Sequence, residues 1–261
     1  MDIFRFINDV YRGYRKGKRD VIHRVFYPPL PKRPIAKVTV TMCSLNEEED
    51  IGLALTSLLN NTVVQQYPHM FEFILADNGS TDKTVEIAQR VLSCHEHRIL
   101  DVPKGKLNSR QASTQEAKGK IVVATDSDTI YPRGYLDLSL RYFLDPEIVA
   151  VSTAKIHSTL REVHFTESYL VGLHNASNRM CGCGSMYYKN AWKAVGGFNL
   201  SINQQDNAEM LEEEEYHFYR KLAELGKVAM SPYPCVTSSR RYLHKFFDTD
   251  YSKAQQRGER F

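Results

Sequence analysis

The segment Ile121-Val122-Val123-Ala124-Thr125 is apolar in four of five positions and stops at two carboxylates, Asp126 and Asp128, spaced i, i+2. A short, unbroken apolar run suits a strand buried on both faces of a largely parallel sheet. Its C-terminal tip is the side on which open α/β sheets bind ligands. Two hard oxygen donors there suit Mg²⁺ or Mn²⁺, which bind one or two carboxylates plus substrate phosphates. The competing reading is a solvated turn, because Asp and Ser are ordinary turn residues. For an isolated Asp-x-Asp, the turn is the commoner outcome. The rest of the chain has to decide.

The sequence before this segment alternates strands and helices. Lys37–Met42 is rich in β-branched residues and reads as a strand. Asn46 is positioned to cap the next helix, with Glu49 completing a capping-box pattern and Ile51, Leu55, Leu58 and Leu59 on its buried face. Phe71–Ala76 is a second strand that ends in the turn Asp77-Asn78-Gly79-Ser80-Thr81-Asp82, followed by a helix burying Val85, Ala88, Val91 and Leu92. Arg98–Val102 is a weaker strand, and Leu107–Ala117 is a helix that Gly119 stops. Strands separated by helices mean repeated βαβ units and a parallel sheet with right-handed crossovers. Neither G-x-G-x-x-G nor G-x-x-x-x-G-K-[ST] occurs, which counts against a dinucleotide-binding oxidoreductase and a P-loop NTPase.

The second half is less regular. Pro132–Phe143 suits a helix with an early proline, Ile148–Ser152 a strand, Phe165–Asn178 a helix and Ser185–Tyr188 a strand. A short helix at Ala191–Val195 leads into the turn Gly196-Gly197-Phe198. Leu211, Phe218, Leu222 and Leu225 then form a stripe down one face of a helix that also carries the acidic run Glu212–Glu215. Such a run is usually a solvated helix start, and at most one or two of its carboxylates can point into a cleft.

A chain of 261 residues can bury a sizeable core, and a net charge of +3 is too small to argue for nucleic acid. No apolar run approaches the ~20 residues of a membrane span, and no secretory signal precedes the first strand, so a cytoplasmic protein is expected. Five cysteines without framework spacing suggest a reducing compartment, and Cys181-Gly182-Cys183 lacks the second ligand pair of a zinc site. Residues 1–36 stand apart: Phe4, Ile7, Val10, Tyr11 and Tyr14 keep helical spacing, a basic stretch follows to Arg24, and four prolines make a stiff linker. This arm reads either as a basic amphipathic helix on an anionic membrane or as a segment packed on protein.

With these pieces in order, the chain resembles the family-2 glycosyltransferases of GT-A fold over about Lys37–Arg241. Four motifs carry the resemblance: Cys43-Ser44-Leu45-Asn46-Glu47-Glu48, Ala76-Asp77-Asn78-Gly79-Ser80-Thr81-Asp82, Asp126-Ser127-Asp128, and Glu214-Glu215 followed by Arg220, Leu222 and Gly226. Their order across the chain overturns the turn reading of Asp126 and Asp128. The resemblance implies an α/β fold with a mostly parallel sheet, a nucleotide-sugar half at 37–131, an acceptor half at 132–241 and a tail at 242–261.

It implies site roles as well. Ser44, Glu47, Asp77, Arg110, Asp126 and Arg240 would hold the nucleotide sugar. Asp128, with Asp126, would hold Mn²⁺ or Mg²⁺, and Gly197, Phe198 and Glu214 would lie on the acceptor side. Glu215 would be the catalytic base, standing where the family usually has Asp, with the register among Glu212–Glu215 open. The implied donor is a nucleotide sugar, with UDP-sugars the commonest in the family, and the acceptor is a hydroxyl on a glycan, lipid-linked or other molecule. Rival readings are a nucleotidyltransferase and a non-catalytic member of the fold that binds nucleotide sugars or scaffolds a partner.

Overall fold

The computed structural model describes residues 36–157, 180, 182–200 and 208–237. The arm at 1–35, the expected helix at Phe165–Asn178, Arg240 and the tail therefore lie outside the described residues. One mixed eight-stranded sheet organises the remainder, in the order β3-β2-β1-β4-β7-β6-β8-β5. Its first half is β1 (Val38–Ser44), β2 (Phe71–Asp77), β3 (His97–Asp101) and β4 (Ile121–Asp126), all mutually parallel. Its second half contains β5 (Thr129–Ile130), β6 (Ile148–His157), β7 (Met186–Tyr188) and β8 (Lys227–Thr237). There β7 runs antiparallel to β4 and β6, β8 lies parallel to β6, and β5 pairs antiparallel with β8. The α/β architecture matches the expectation, while β5 and the long β8 were not foreseen.

Helices cover both faces. On one face, α1 (Ile51–Leu59), α2 (Thr62–Gln66) and α3 (Thr84–Leu92) bury Ile51, Leu55, Leu58, Val64, Ala88 and Leu92 against Val40, Phe73 and Val123. On the other, α4 (Lys106–Glu116), α6 (Lys189–Ala194) and α7 (Ala208–Leu225) bring Leu107, Trp192, Phe218 and Leu222 onto Val122 and Ala124. The short α5 (Tyr135–Ser139) joins the first core. Successive residues of β4 thus enter opposite cores, which is why its sequence is a continuous apolar run. Burying each large aliphatic side chain contributes roughly 1.5–3 kcal/mol.

Four local expectations are corrected. Asn46 does not cap α1, whose N-cap is Asp50; Asn46 has φ +52° and accepts a hydrogen bond from Thr81 N–H at 2.9 Å. The expected helix from Pro132 shortens to α5 and a 3₁₀ turn at Leu140–Leu144. The helix after β3 ends at Glu116, and Gly119 serves a close approach instead: a Cβ there would stand 2.5 Å from Thr39 N. Leu225 is 48% exposed, so the apolar stripe of α7 ends one turn earlier, at Leu222.

The edge of the sheet opposite the strand tips is locked by a buried carboxylate. Glu72 accepts from Thr39 Oγ1 at 2.8 Å, Lys118 N at 3.0 Å, and Arg98 Nε and Nη2 at 3.2 and 2.9 Å. Thr39 in turn accepts from Gly119 N at 2.8 Å, so three strands and the entry to β4 converge on one side chain. Removing it strands buried donors. Glu72→Ala is expected to lose about 2 kcal/mol of stability, measured by urea unfolding.

Candidate active site

The C-terminal tips of β1, β2 and β4 carry the expected residues to one edge. At the tip of β2, Asp77 is 5% exposed, and its carboxylate organises the turn that follows. Oδ1 accepts from Ser44 Oγ at 2.9 Å and Ser80 Oγ at 2.6 Å, while Oδ2 accepts from Gly79 N at 3.1 Å and Ser80 N at 2.8 Å. Glu47 is buried beside it, with its N–H donating to Thr84 Oγ1 at 2.7 Å. Asn78 bridges this turn to α4, accepting from Ser109 Oγ at 2.7 Å and donating to Pro103 O at 2.9 Å.

At the tip of β4, Asp126 faces two cations from one side of α4. Lys106 Nζ lies 2.8 Å from Oδ2, and Arg110 Nη2 lies 3.8 Å from Oδ1. The two basic residues are four apart, so one helix face presents both. Arg110 reaches further, placing Nη1 3.3 Å from Oε1 of Glu215 on α7. The same Oε1 accepts from Gly182 N at 3.0 Å. The β4 tip and the late acidic helix therefore share one cleft, joined through a guanidinium. Burial disfavours that charge, but the carboxylates of Asp126 and Glu215 outweigh it and raise the Arg110 pKa above its ordinary value.

The glutamates of α7 separate by role. Glu214 is 2% exposed and accepts from Asn199 N at 2.8 Å, fixing the loop after the Gly196-Gly197 turn. Glu215 keeps a partly open carboxylate, 15% exposed. The side chains of Glu212 and Glu213 lie outside the described set. Gly197, at φ +75°, presses against Gln111, which accepts from Phe198 N at 3.1 Å. Phe198 packs with Tyr187 and Phe218 as an aromatic wall to a small cavity that Arg110, Gly182, Glu214 and Glu215 line from the polar side.

Asp128 is half-buried and its Oδ1 accepts from Thr129 Oγ1 at 3.3 Å. Among the described residues no three carboxylates, histidines or cysteines gather as a metal cage. The donor set fits a cation held by one or two carboxylates that completes its shell with phosphates, as Mg²⁺ and Mn²⁺ do. Cys183, buried, has its Sγ 3.7 Å from that of Cys235, and Cys181 lies outside the described residues.

Three site residues were missed in the sequence. Lys106 had a signal, its i, i+4 spacing to Arg110. Gly182 was seen only as the spacer of a cysteine pair. Tyr131 had none: its hydroxyl accepts from Asp126 N at 3.0 Å and donates to Cys183 O at 2.8 Å, and burial raises its pKa well above the ordinary value.

Strand tips carrying Ser44, Asp77 and Asp126, two helix-borne cations and an acidic late helix meet at the edge where an open α/β sheet presents its ligand site. The Glycosyl transferase family 2 profile matches residues 39–246, and the chain belongs to that family. Its curated relatives include poly-beta-1,6-N-acetyl-D-glucosamine synthase of Staphylococcus epidermidis, 22% identical over 80% of this chain and 52% of the relative. Another is succinoglycan biosynthesis protein ExoA of Rhizobium meliloti, 27% identical over 52% of this chain and 46% of the relative. The chain thus spans about half the length of the curated relatives it matches. Among solved structures, the mannosyltransferase PcManGT from Pyrobaculum calidifontis, in complex with GDP-Man and Mn²⁺, superposes with TM-score 0.62 at 23% identity, covering 82% of this chain and 61% of that one. Staphylococcus aureus TarS 1–349 gives TM-score 0.60 at 17% identity, covering 80% and 62%. These likenesses establish the GT-A fold.

Two outcomes follow from the packing. Burial raises the Cys43 pKa to about 11, leaving about one thiolate in a thousand at pH 8. Iodoacetamide at pH 8 is expected to label exposed Cys94 in the native protein and Cys43 only after unfolding, read by peptide mass spectrometry. A Cβ on Gly182 would stand 1.4 Å from Arg110 Nη2, so Gly182→Ala is expected to cost about 1–3 kcal/mol in thermal or urea unfolding.

Proposed function

We propose that this chain transfers a glycosyl group from a nucleoside-diphosphate sugar to an acceptor hydroxyl, with inversion at the anomeric carbon. The observation that supports it is the bridge Asp126–Arg110–Glu215, which sets a carboxylate from α7 across from the β4 tip. In one displacement, the acceptor oxygen bonds to the anomeric carbon while the bond to the diphosphate breaks. The leaving diphosphate takes the electron pair, and Glu215 takes the acceptor proton as general base. Ser44, Glu47 and Asp77 would shape the pocket for base and ribose, and Lys106, paired with Asp126 at 2.8 Å, would offer a cation to the diphosphate. Mn²⁺ or Mg²⁺ would be held by Asp128, with Asp126, and would supply charge stabilisation to the departing phosphates.

The donors named in the neighbouring structures differ, GDP-Man in PcManGT and UDP-GlcNAc in a TarS complex. A UDP-sugar is the donor proposed here, and the acceptor is a hydroxyl on a glycan or lipid-linked chain. Thermal-shift screening of UDP- and GDP-sugars with Mn²⁺ would identify the donor, and product analysis would then read transfer. Binding without turnover on any acceptor would favour a non-catalytic member of the fold.

Asp128→Ala and Glu215→Gln are each expected to lower kcat at least about 100-fold with the fold retained by circular dichroism. Full activity in Glu215→Gln would refute the base assignment.

A further inference from the structure

Arg110 is enclosed on every side, with 4% of its surface exposed, yet the protein satisfies it poorly. Among the described residues its Nε and Nη2 make no hydrogen bond of good geometry, and its shortest contact to a carboxylate is Nη1 to Glu215 Oε1 at 3.3 Å. A buried arginine is costly to leave under-bonded, and such groups cluster where function demands them. The surroundings are also shaped to keep it there. Gly182 has no Cβ where the guanidinium lies, and its N–H donates to the same Oε1 at 3.0 Å. Two donors from two directions therefore clamp one oxygen of Glu215. Among the described residues no hydrogen bond reaches the other oxygen, and the side chain as a whole keeps 15% of its surface exposed.

We propose that Arg110 is a positioning residue for the base: together with Gly182 N–H it immobilises Oε1 of Glu215 and leaves Oε2 to receive the acceptor proton. The inference rests on the base assignment above and changes the role expected of Arg110, which acts on the carboxylate and not on the nucleotide. The planar fork of arginine serves Glu215 through one nitrogen while another approaches Asp126 at 3.8 Å, a reach that a lysine ammonium does not reproduce.

The test uses the full chain and needs no known donor for its first arm. Carbodiimide and glycine ethyl ester label open carboxylates, and fragment mass spectra resolve Glu215 within its peptide. Freed from its clamp, Glu215 in Arg110→Gln is expected to label at least about tenfold faster than in the wild type, with Arg110→Lys intermediate and the melting curve confirming a folded protein. Unchanged labelling overturns the positioning role. The second arm is calorimetry with UDP and Mn²⁺, where affinity is expected to change less than about threefold in Arg110→Gln. A tenfold loss makes Arg110 a nucleotide contact and overturns the proposal. In the third arm, once a donor is found, Arg110→Gln should lower kcat with little change in donor KM. Adding it to Glu215→Gln should cost less than about threefold more, because residues acting as a unit are not additive. Additive losses overturn the proposal. A fully active Glu215→Gln protein overturns the base assignment instead, an outcome the labelling arm does not share.

Discussion

A buried guanidinium held between two carboxylates is the interaction on which this molecule's two halves depend. Arg110 comes from the helix that follows β3, Asp126 from the tip of β4 and Glu215 from α7, so three segments far apart in sequence meet at one charge. Breaking a buried ion pair by removing one partner costs on the order of 3–5 kcal/mol, far more than a surface pair is worth. That asymmetry makes the contact a registration device. If α7 slid or rotated, Arg110 would lose Glu215 and keep only its 3.8 Å approach to Asp126 inside the protein. The same packing explains Gly182, because a Cβ there would occupy the space of the guanidinium.

The sheet divides its labour between its two edges. At one, Glu72 draws Thr39, Lys118 N–H and Arg98 together, and every bond serves rigidity. At the other, Asp77 is held by turn backbone and hydroxyls, while Asp126 meets helix cations that face a cleft. Parallel strands make this polarity unavoidable, because all their C-terminal ends open onto the same side.

The first half of the fold was legible because its signals are local. The β4 run Ile121–Thr125 had to be covered on both faces, and Ile51, Leu55 and Leu58 keep helical spacing without interruption. Legibility fell where a residue's partner lies far along the chain. Asn46 is a residue type that caps helices, yet the turn after β2 claims it through Thr81 N–H, and α1 begins only after its N-cap Asp50. Strand β8 carries two prolines and little alternation, and it exists because β6 offers a long parallel edge, a tertiary fact. Within the site, the acids were found by position in recognisable motifs, whereas Tyr131 and Gly182 act through a hydroxyl and a missing side chain. Neither leaves a pattern in composition or spacing.

Charge balance connects the site to the ligand it is proposed to take. Lys106 and Arg110 face Asp126 and Glu215, so the two cations are already matched by two anions, with Asp128 adding a negative charge beside them. A doubly charged diphosphate arriving alone would have to compete with Asp126 and Glu215 for those cations, loosening the clamp on the base. A diphosphate that brings its own divalent cation is nearly neutral, and on the proposed reading Asp128 would add a carboxylate for that cation besides the two that face Arg110. Under the proposed function, a metal-borne phosphate would leave Glu215 tied to Arg110, where an acceptor would need it.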